Sequence, residues 1–149
     1  MTSPIDYHDA VVRVRYAETD QMGVVYHGNY FVWFEVGRVE LMRSLGFEYK
    51  LMEKEDDCHI VVVDAQCRYL KPAKYDDVLR VRTRIVETMN RMIRYTYELI
   101  RDADNQILAT GETKHIICGS NGRPKLLPQK YRARFAEISS TAVHQVKHA

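Results

Sequence analysis

The stretch Tyr16 to Leu45, YAETDQMGVVYHGNYFVWFEVGRVELMRSL, changes character part-way along. From Tyr30, the residues Tyr30, Phe34, Gly37, Leu41 and Leu45 recur at steps of three or four, which predicts a helix over Tyr30 to Leu45 with one apolar face. Gly46 stands where a helix C-terminal cap is expected. Gly37, inside the helix, costs about 1 kcal/mol relative to Ala, so close packing against another backbone is expected there. Ahead of the helix, Ala17 to Gly23 is a polar, turn-rich loop that enters it through Val24, Val25 and Tyr26.

On the N-terminal side, Val11 to Tyr16 alternates Val12, Val14 and Tyr16 with Arg13 and Arg15, the period of a half-buried strand. On the C-terminal side four more strands are expected, at Ile60 to Leu70, Val78 to Val86, Met92 to Arg101 and Ile107 to Cys118. In the first, Val61, Val63, Ala65, Cys67 and Tyr69 share one face. In the second, Leu79, Val81 and Ile85 oppose Arg80, Arg82 and Arg84, and in the third Ile93, Tyr95, Tyr97 and Leu99 oppose Arg94, Thr96 and Glu98. Lys71 to Asp77, Met89-Asn90 and Asp102 to Asn105 punctuate them, giving an antiparallel run with one buried face. The order of strand, helix and four strands is an α+β layer architecture, with the helix available to cover the apolar face of a curved sheet. A short helix is expected after Pro128 to about Ile138, and Ser139 to Ala149 reads as a frayed tail, so one domain over residues 1–138 is expected.

The 149 residues suit a single core, and 46% apolar with 28% charged residues is the composition of a globular protein. The formal charge of +2 gives no reason to expect a nucleic-acid partner. No apolar run reaches the roughly 18 residues a bilayer span needs, and Met1 to Asp9 lacks the pattern of a leader, so a cytoplasmic location is expected. Cys58, Cys67 and Cys118 are widely spaced without a Cys-x-x-Cys pair, which fits reduced thiols rather than a disulfide framework or zinc site, and no metal or cofactor is expected.

Gly-x-Ser-x-Gly, phosphate-binding glycine loops, Gly-x-Gly-x-x-Gly and His-Glu-x-x-His are all absent from the sequence. What stands out is a carboxylate, Asp20, on a loop that runs into a helix N-terminus near His27. Such a terminus presents unpaired N–H groups and the positive end of the helix dipole, so a carbonyl delivered there meets an oxyanion site, with Asp20 opposite as base or nucleophile. Spacing alone leaves the alternative open that Asp20 is a turn residue and that His27-Gly28-Asn29 merely begins the helix. The charged residues Glu35, Arg38, Glu40 and Arg43 read as a solvated helix face, and Arg80, Arg82 and Arg84 as a stripe that faces water or meets phosphates.

The string Tyr-x-x-Thr-Asp-x-x-Gly-Val-Val-Tyr-His-x-x-Tyr from Tyr16 to Tyr30, followed by Phe34-Glu35, Arg38 and Glu40, resembles the 4-hydroxybenzoyl-CoA thioesterase family, and within it the Tol-Pal-associated acyl-CoA thioesterase branch. Tyr69 to Thr83, with Lys71-Pro72-Ala73, is similar to the family's second landmark. The resemblance implies a hotdog fold, a curved antiparallel sheet wrapped around one long central helix, and hydrolysis of an acyl-CoA to the free acid and CoA without a cofactor. It implies Asp20 as the catalytic carboxylate, the His27 backbone N–H as carbonyl donor with its imidazole as a helper, and Tyr26, Gly28 and Tyr30 as substrate-binding residues. It also implies a homodimer or homotetramer with the site at the seam. A hydratase or dehydratase of the same fold, and a non-catalytic acyl-CoA- or protein-binding module, are the rival readings.

Overall fold

The computed structural model describes residues 7–137. Three strands carry the strongest alternation: β3 (Val78–Met89), β4 (Met92–Arg101) and β5 (Gln106–Cys118), and they form the middle of one antiparallel sheet. The two residues Asn90 and Arg91 close the β3–β4 hairpin, with Met89 opposite Met92. Asn105, at φ +58°, takes the left-handed conformation that the β4–β5 turn needs, one that Asn tolerates better than most side chains. The edges are β1 (His8–Arg13), paired to β3, and β2 (His59–Tyr69), paired to β5, in the order β1-β3-β4-β5-β2.

The inner face is apolar as the alternation predicts: Leu79, Val81, Ile85, Ile93, Tyr95, Tyr97 and Leu99 are buried. The other face carries charges that neutralise one another. Arg82 makes two 2.9 Å hydrogen bonds to Asp9, Arg80 pairs with Asp9 and Asp102, and Arg84 pairs with Glu98 at 2.6 Å. The arginine stripe is therefore an ion-paired surface.

The long helix α1 (Asn29–Ser44) lies on the inner face, contacting β1 and β3 most. The expected face is the one it turns inward: Tyr30, Phe34, Gly37 and Leu41 are buried, and Leu45 packs at the core margin. Phe34 stacks on Tyr97 with centroids 4.4 Å apart. Gly111 makes room for it, since a Cβ there would lie 2.3 Å from the Phe34 ring. Gly37 is explained by side chains rather than by a backbone neighbour, because a Cβ would lie 2.4 Å from Thr83 Oγ1 and 2.8 Å from Val81 Cγ1. At the C-terminus Gly46 adopts φ +88°, its N–H reaches the Arg43 carbonyl, and Phe47 N–H reaches that of Met42, a Schellman cap as expected at Gly46.

Three local expectations change. The first strand ends at Arg13 rather than Tyr16, because the Glu18 carboxylate takes the Arg15 N–H at 2.7 Å and draws Tyr16–Glu18 into a 3-10 turn that leaves Tyr16 exposed. A register shift between Val62 and Asp64 breaks the shared face expected along β2, and Val61, Val62 and Val63 are all substantially exposed on this edge. A helix α2 (Tyr49–Asp56) joins α1 to β2; only Met52 on it is fully buried, too weak a period to read from sequence. Residues 129–137 form the helix expected after Pro128, with Tyr131 and Phe135 packed on Phe47. Its expected end at Ile138, the domain boundary there and the tail at Ser139 to Ala149 lie outside the described residues, as does Met1 to Asp6 of the N-terminal segment. Cys58, Cys67 and Cys118 are free thiols, and among the described residues no helix is long and apolar enough to cross a membrane.

Candidate active site

The loop that carries Asp20 is fastened from inside. Glu18 is buried, with its carboxylate on the Arg15 N–H and its carbonyl accepting from both Tyr26 N–H at 2.9 Å and Asn29 Nδ2 at 2.9 Å. Thr19 and Val25 form an antiparallel bridge. Between them the chain reverses: Asp20 N–H donates to the Val24 carbonyl at 2.8 Å, Gly23 N–H donates to the Asp20 carbonyl at 3.0 Å, and Gly23 takes φ +79°, which a glycine supplies without strain. One oxygen of the Asp20 carboxylate accepts the Met22 N–H at 2.8 Å, so the side chain is held as an Asx turn while remaining exposed. The two readings left open by spacing are thus compatible, because Asp20 is a turn residue and also a fixed carboxylate.

Val25 N–H donates to the Ala73 carbonyl at 2.9 Å, which ties the loop to the β2–β3 connection. The chain then turns directly into α1. Asn29, Tyr30 and Phe31 N–H groups donate to the carbonyls of Tyr26, His27 and Gly28, and Gly28, the residue before α1, is already helical at φ −65° and ψ −23°. Among the described residues, the N–H groups of His27 and Gly28 donate to no protein acceptor. These two are the open donors of the helix N-terminus.

Asp20, His27 and Tyr30 line one cleft of about 310 Å³, together with Tyr69, Leu70, Lys71 and Pro72. Tyr26 and Gly28 flank it instead. The half-exposed Tyr26 ring stands 4.4 Å from the His27 ring and covers Gly28, where a Cβ would come within 2.9 Å of it. Tyr30 is a buried wall whose hydroxyl accepts the Ala73 N–H at 3.2 Å; burial pushes its phenol above the ordinary tyrosine value. The second landmark thus folds onto the first. Tyr69, which the reading of single residues left in a strand face, is its clearest addition: its hydroxyl donates to the His27 carbonyl at 2.8 Å, and partial burial raises the phenol to about 12. Its signal in the sequence was its place at the head of the Lys71-Pro72-Ala73 landmark. The arrangement offers an exposed carboxylate in a cleft lined by His27 and flanked by Gly28, the two residues with open N–H donors, which suits attack on a carbonyl.

Residues 14–139 match the thioesterase-like superfamily, a span that includes both landmarks. The chain is 39% identical over 126 residues to a putative acyl-CoA thioesterase, YneP, of Bacillus subtilis, covering 85% of this chain and 88% of that protein. It is 33% identical over 129 residues to the acyl-CoA thioesterase YbgC of Haemophilus influenzae, covering 85% and 93% respectively. The crystal structure of a DHNA-CoA thioesterase from Staphylococcus aureus superposes with a TM-score of 0.83 at 32% identity, covering 95% of this chain and 94% of the other. From the Asp20 loop through the five-stranded sheet, then, the chain belongs to the thioesterase-like superfamily of hotdog proteins, the kinship that its two landmarks led one to expect.

Proposed function

We propose that this chain is a thioester hydrolase that cleaves an acyl-CoA to the free acid and CoA, with Asp20 as general base or nucleophile and the His27 backbone N–H as oxyanion donor. The observation that carries the reading is that Asp20 and His27 line one cleft at the N-terminus of α1, where the His27 N–H is open among the described residues. In the general-base route Asp20 takes a proton from water, the hydroxide adds to the thioester carbon, and the developing O⁻ is met by the N–H. The C–S bond then breaks, CoA leaves as a thiolate and is protonated. In the nucleophilic route the Asp20 oxygen attacks, thiolate leaves, and water cleaves the resulting anhydride. A thiolate is a good leaving group, so a carboxylate and one or two oriented donors suffice, each donor contributing roughly 3 kcal/mol. The His27 imidazole helps by orienting water or Asp20, and Tyr26, Gly28 and Tyr30 border the acyl group.

The names of the relatives support the acyl-CoA class. The reading also includes a hotdog arrangement with α1 as the central helix, a cytoplasmic setting, and a homodimer or homotetramer. In that assembly the exposed edge of β2 pairs with a second copy and closes the cleft beside Tyr69 and Leu70. The test is thiol release from a panel of short, aromatic and long acyl-CoAs. Asp20→Asn keeps an oxygen for the Met22 N–H and should lower kcat at least about a hundredfold without unfolding the loop; wild-type turnover would remove Asp20 from the mechanism. His27→Ala retains the backbone donor and should cost less than Asp20→Asn. Binding without turnover across the panel would favour a binding module, and hydration of an enoyl-CoA would favour the hydratase.

A further inference from the structure

The first peptides of α1 are held unevenly. The carbonyls of Tyr26, His27 and Gly28 each accept an N–H three residues on, so all three point along the helix and the N–H groups sharing the first two peptides, those of His27 and Gly28, point out of its N-terminus. Within this set the bond on the His27 carbonyl is the longest, at 3.4 Å from Tyr30 N. A contact of that length restrains a peptide weakly. The short bond to the same oxygen comes from β2, where the Tyr69 hydroxyl donates at 2.8 Å. Because the peptide is planar, fixing the His27 carbonyl fixes the direction of the Gly28 N–H on its other side. The Tyr69 ring is itself braced, edge-on against Tyr30 with centroids 4.8 Å apart and against His27 at 6.3 Å. A donor on a carbonyl also polarises the amide it belongs to and strengthens its N–H.

We infer that Tyr69 is a positioning residue of the oxyanion site: by clamping the His27 carbonyl it aims the Gly28 N–H as a second donor beside that of His27. The inference rests on the hydrolase reading and assigns two roles that reading lacks. Tyr69 acts through the peptide and does not touch the reacting atoms. Gly28, named above as bordering the acyl group, contributes its amide, and the absence of a Cβ lets the Tyr26 ring lie over it.

The experiment is Tyr69→Phe in the full-length protein, which removes one oxygen and keeps the ring contacts. With the best acyl-CoA of the panel, kcat should fall about five- to tenfold, as loss of one ordinary hydrogen bond predicts, while KM stays within about twofold. The sedimentation coefficient should not change, which separates the effect from a disturbed β2 edge. A second readout does not depend on turnover. A CoA ketone in which CH₂ replaces the thioester sulfur, labelled with ¹³C at its carbonyl, should show a carbonyl stretch lowered on binding to wild type, and part of that lowering should be lost in Tyr69→Phe. Unchanged kcat with an unchanged stretch, or a loss that appears in KM or sedimentation alone, overturns the role of Tyr69 and leaves the hydrolase standing. A wild-type protein that releases no thiol from any acyl-CoA overturns the hydrolase reading and this inference with it.

Discussion

The Tyr30 hydroxyl accepts the backbone N–H of Ala73 at 3.2 Å, joining the first turn of α1 to the connection between β2 and β3. The Ala73 carbonyl in turn accepts Val25 N–H at 2.9 Å, so one buried residue of the second landmark is held both by the segment leaving the Asp20 loop and by the first turn of α1. Tyr30→Phe would leave the Ala73 N–H buried without an acceptor. The expected loss is about 1–3 kcal/mol, a fall of roughly 4 °C in melting temperature per kcal/mol, at fixed protein concentration. Calorimetry on the purified variant measures it, and an unchanged melting temperature would mean that water or a shifted loop replaces the tyrosine.

How much of this was legible before folding differs from element to element, for physical reasons. The face of α1 was read correctly because every inward residue from Tyr30 to Leu41 lies on one helical stripe, and local period is what a sequence states directly. The β3 and β4 alternation held for the same reason. The register shift at Val63 could not be read, since a bulge is decided by pairing with β5 and the run Ile60 to Val63 that leads into it is uniformly apolar. The 3-10 turn at Tyr16 depends on where the Glu18 carboxylate points, which is a tertiary fact. At the site, Asp20 and His27 were named from one stretch, but the meeting of His27 with Tyr69 joins residues 42 positions apart. No spacing rule reports that distance.

Gly37→Ala sets two effects of opposite sign against each other. Ala favours the helix interior by about 1 kcal/mol. Its methyl would arrive 2.4 Å from Thr83 Oγ1 and 2.8 Å from Val81 Cγ1, in a place where overpacking costs about 1–3 kcal/mol. Packing should win, so the urea midpoint should fall with the slope unchanged. Thr83→Ala removes a buried hydroxyl that has no hydrogen-bond partner among the described residues, and should restore part of the loss in the double variant. A Gly37→Ala protein as stable as wild type would show that α1 rides farther from β3 than these contacts state.

The edge of β2 bears on assembly. Val61, Val62 and Val63 are 46%, 43% and 53% exposed on a strand with β5 on one side and, among the described residues, no strand on the other. An apolar unpaired edge is a template for another strand, and a lysine there blocks pairing. On the proposed assembly through this edge, Val62→Lys should therefore move the protein from dimer or tetramer to monomer in sedimentation velocity at micromolar concentration, with loss of thiol release if the partner closes the cleft. Wild-type sedimentation in the variant would place the subunit interface elsewhere.

His115 gives a pH dependence whose direction is fixed by burial. Its ring is fully buried between Thr113, whose hydroxyl lies 2.8 Å from Nε2, and the edge of Tyr95, and its Nδ1 has no hydrogen-bond partner among the described residues. Burial, helped by the Arg38 charge, lowers its pKa from 6.5 to about 3. The unfolded chain therefore takes up a proton as pH falls through about 6.5, while the folded chain does not until about 3. Between those values the unfolded state binds more protons, so stability falls with falling pH by up to about 1.4 kcal/mol per unit, or about 2 kcal/mol by pH 5. Carboxylates titrate mostly below that range, and a His115→Gln control separates this ring from the chain's five other histidines. Urea midpoints at pH 7, 6 and 5 should decline in wild type and stay level in His115→Gln, which cannot take up the proton. An equal decline in both proteins would assign the dependence to a different group.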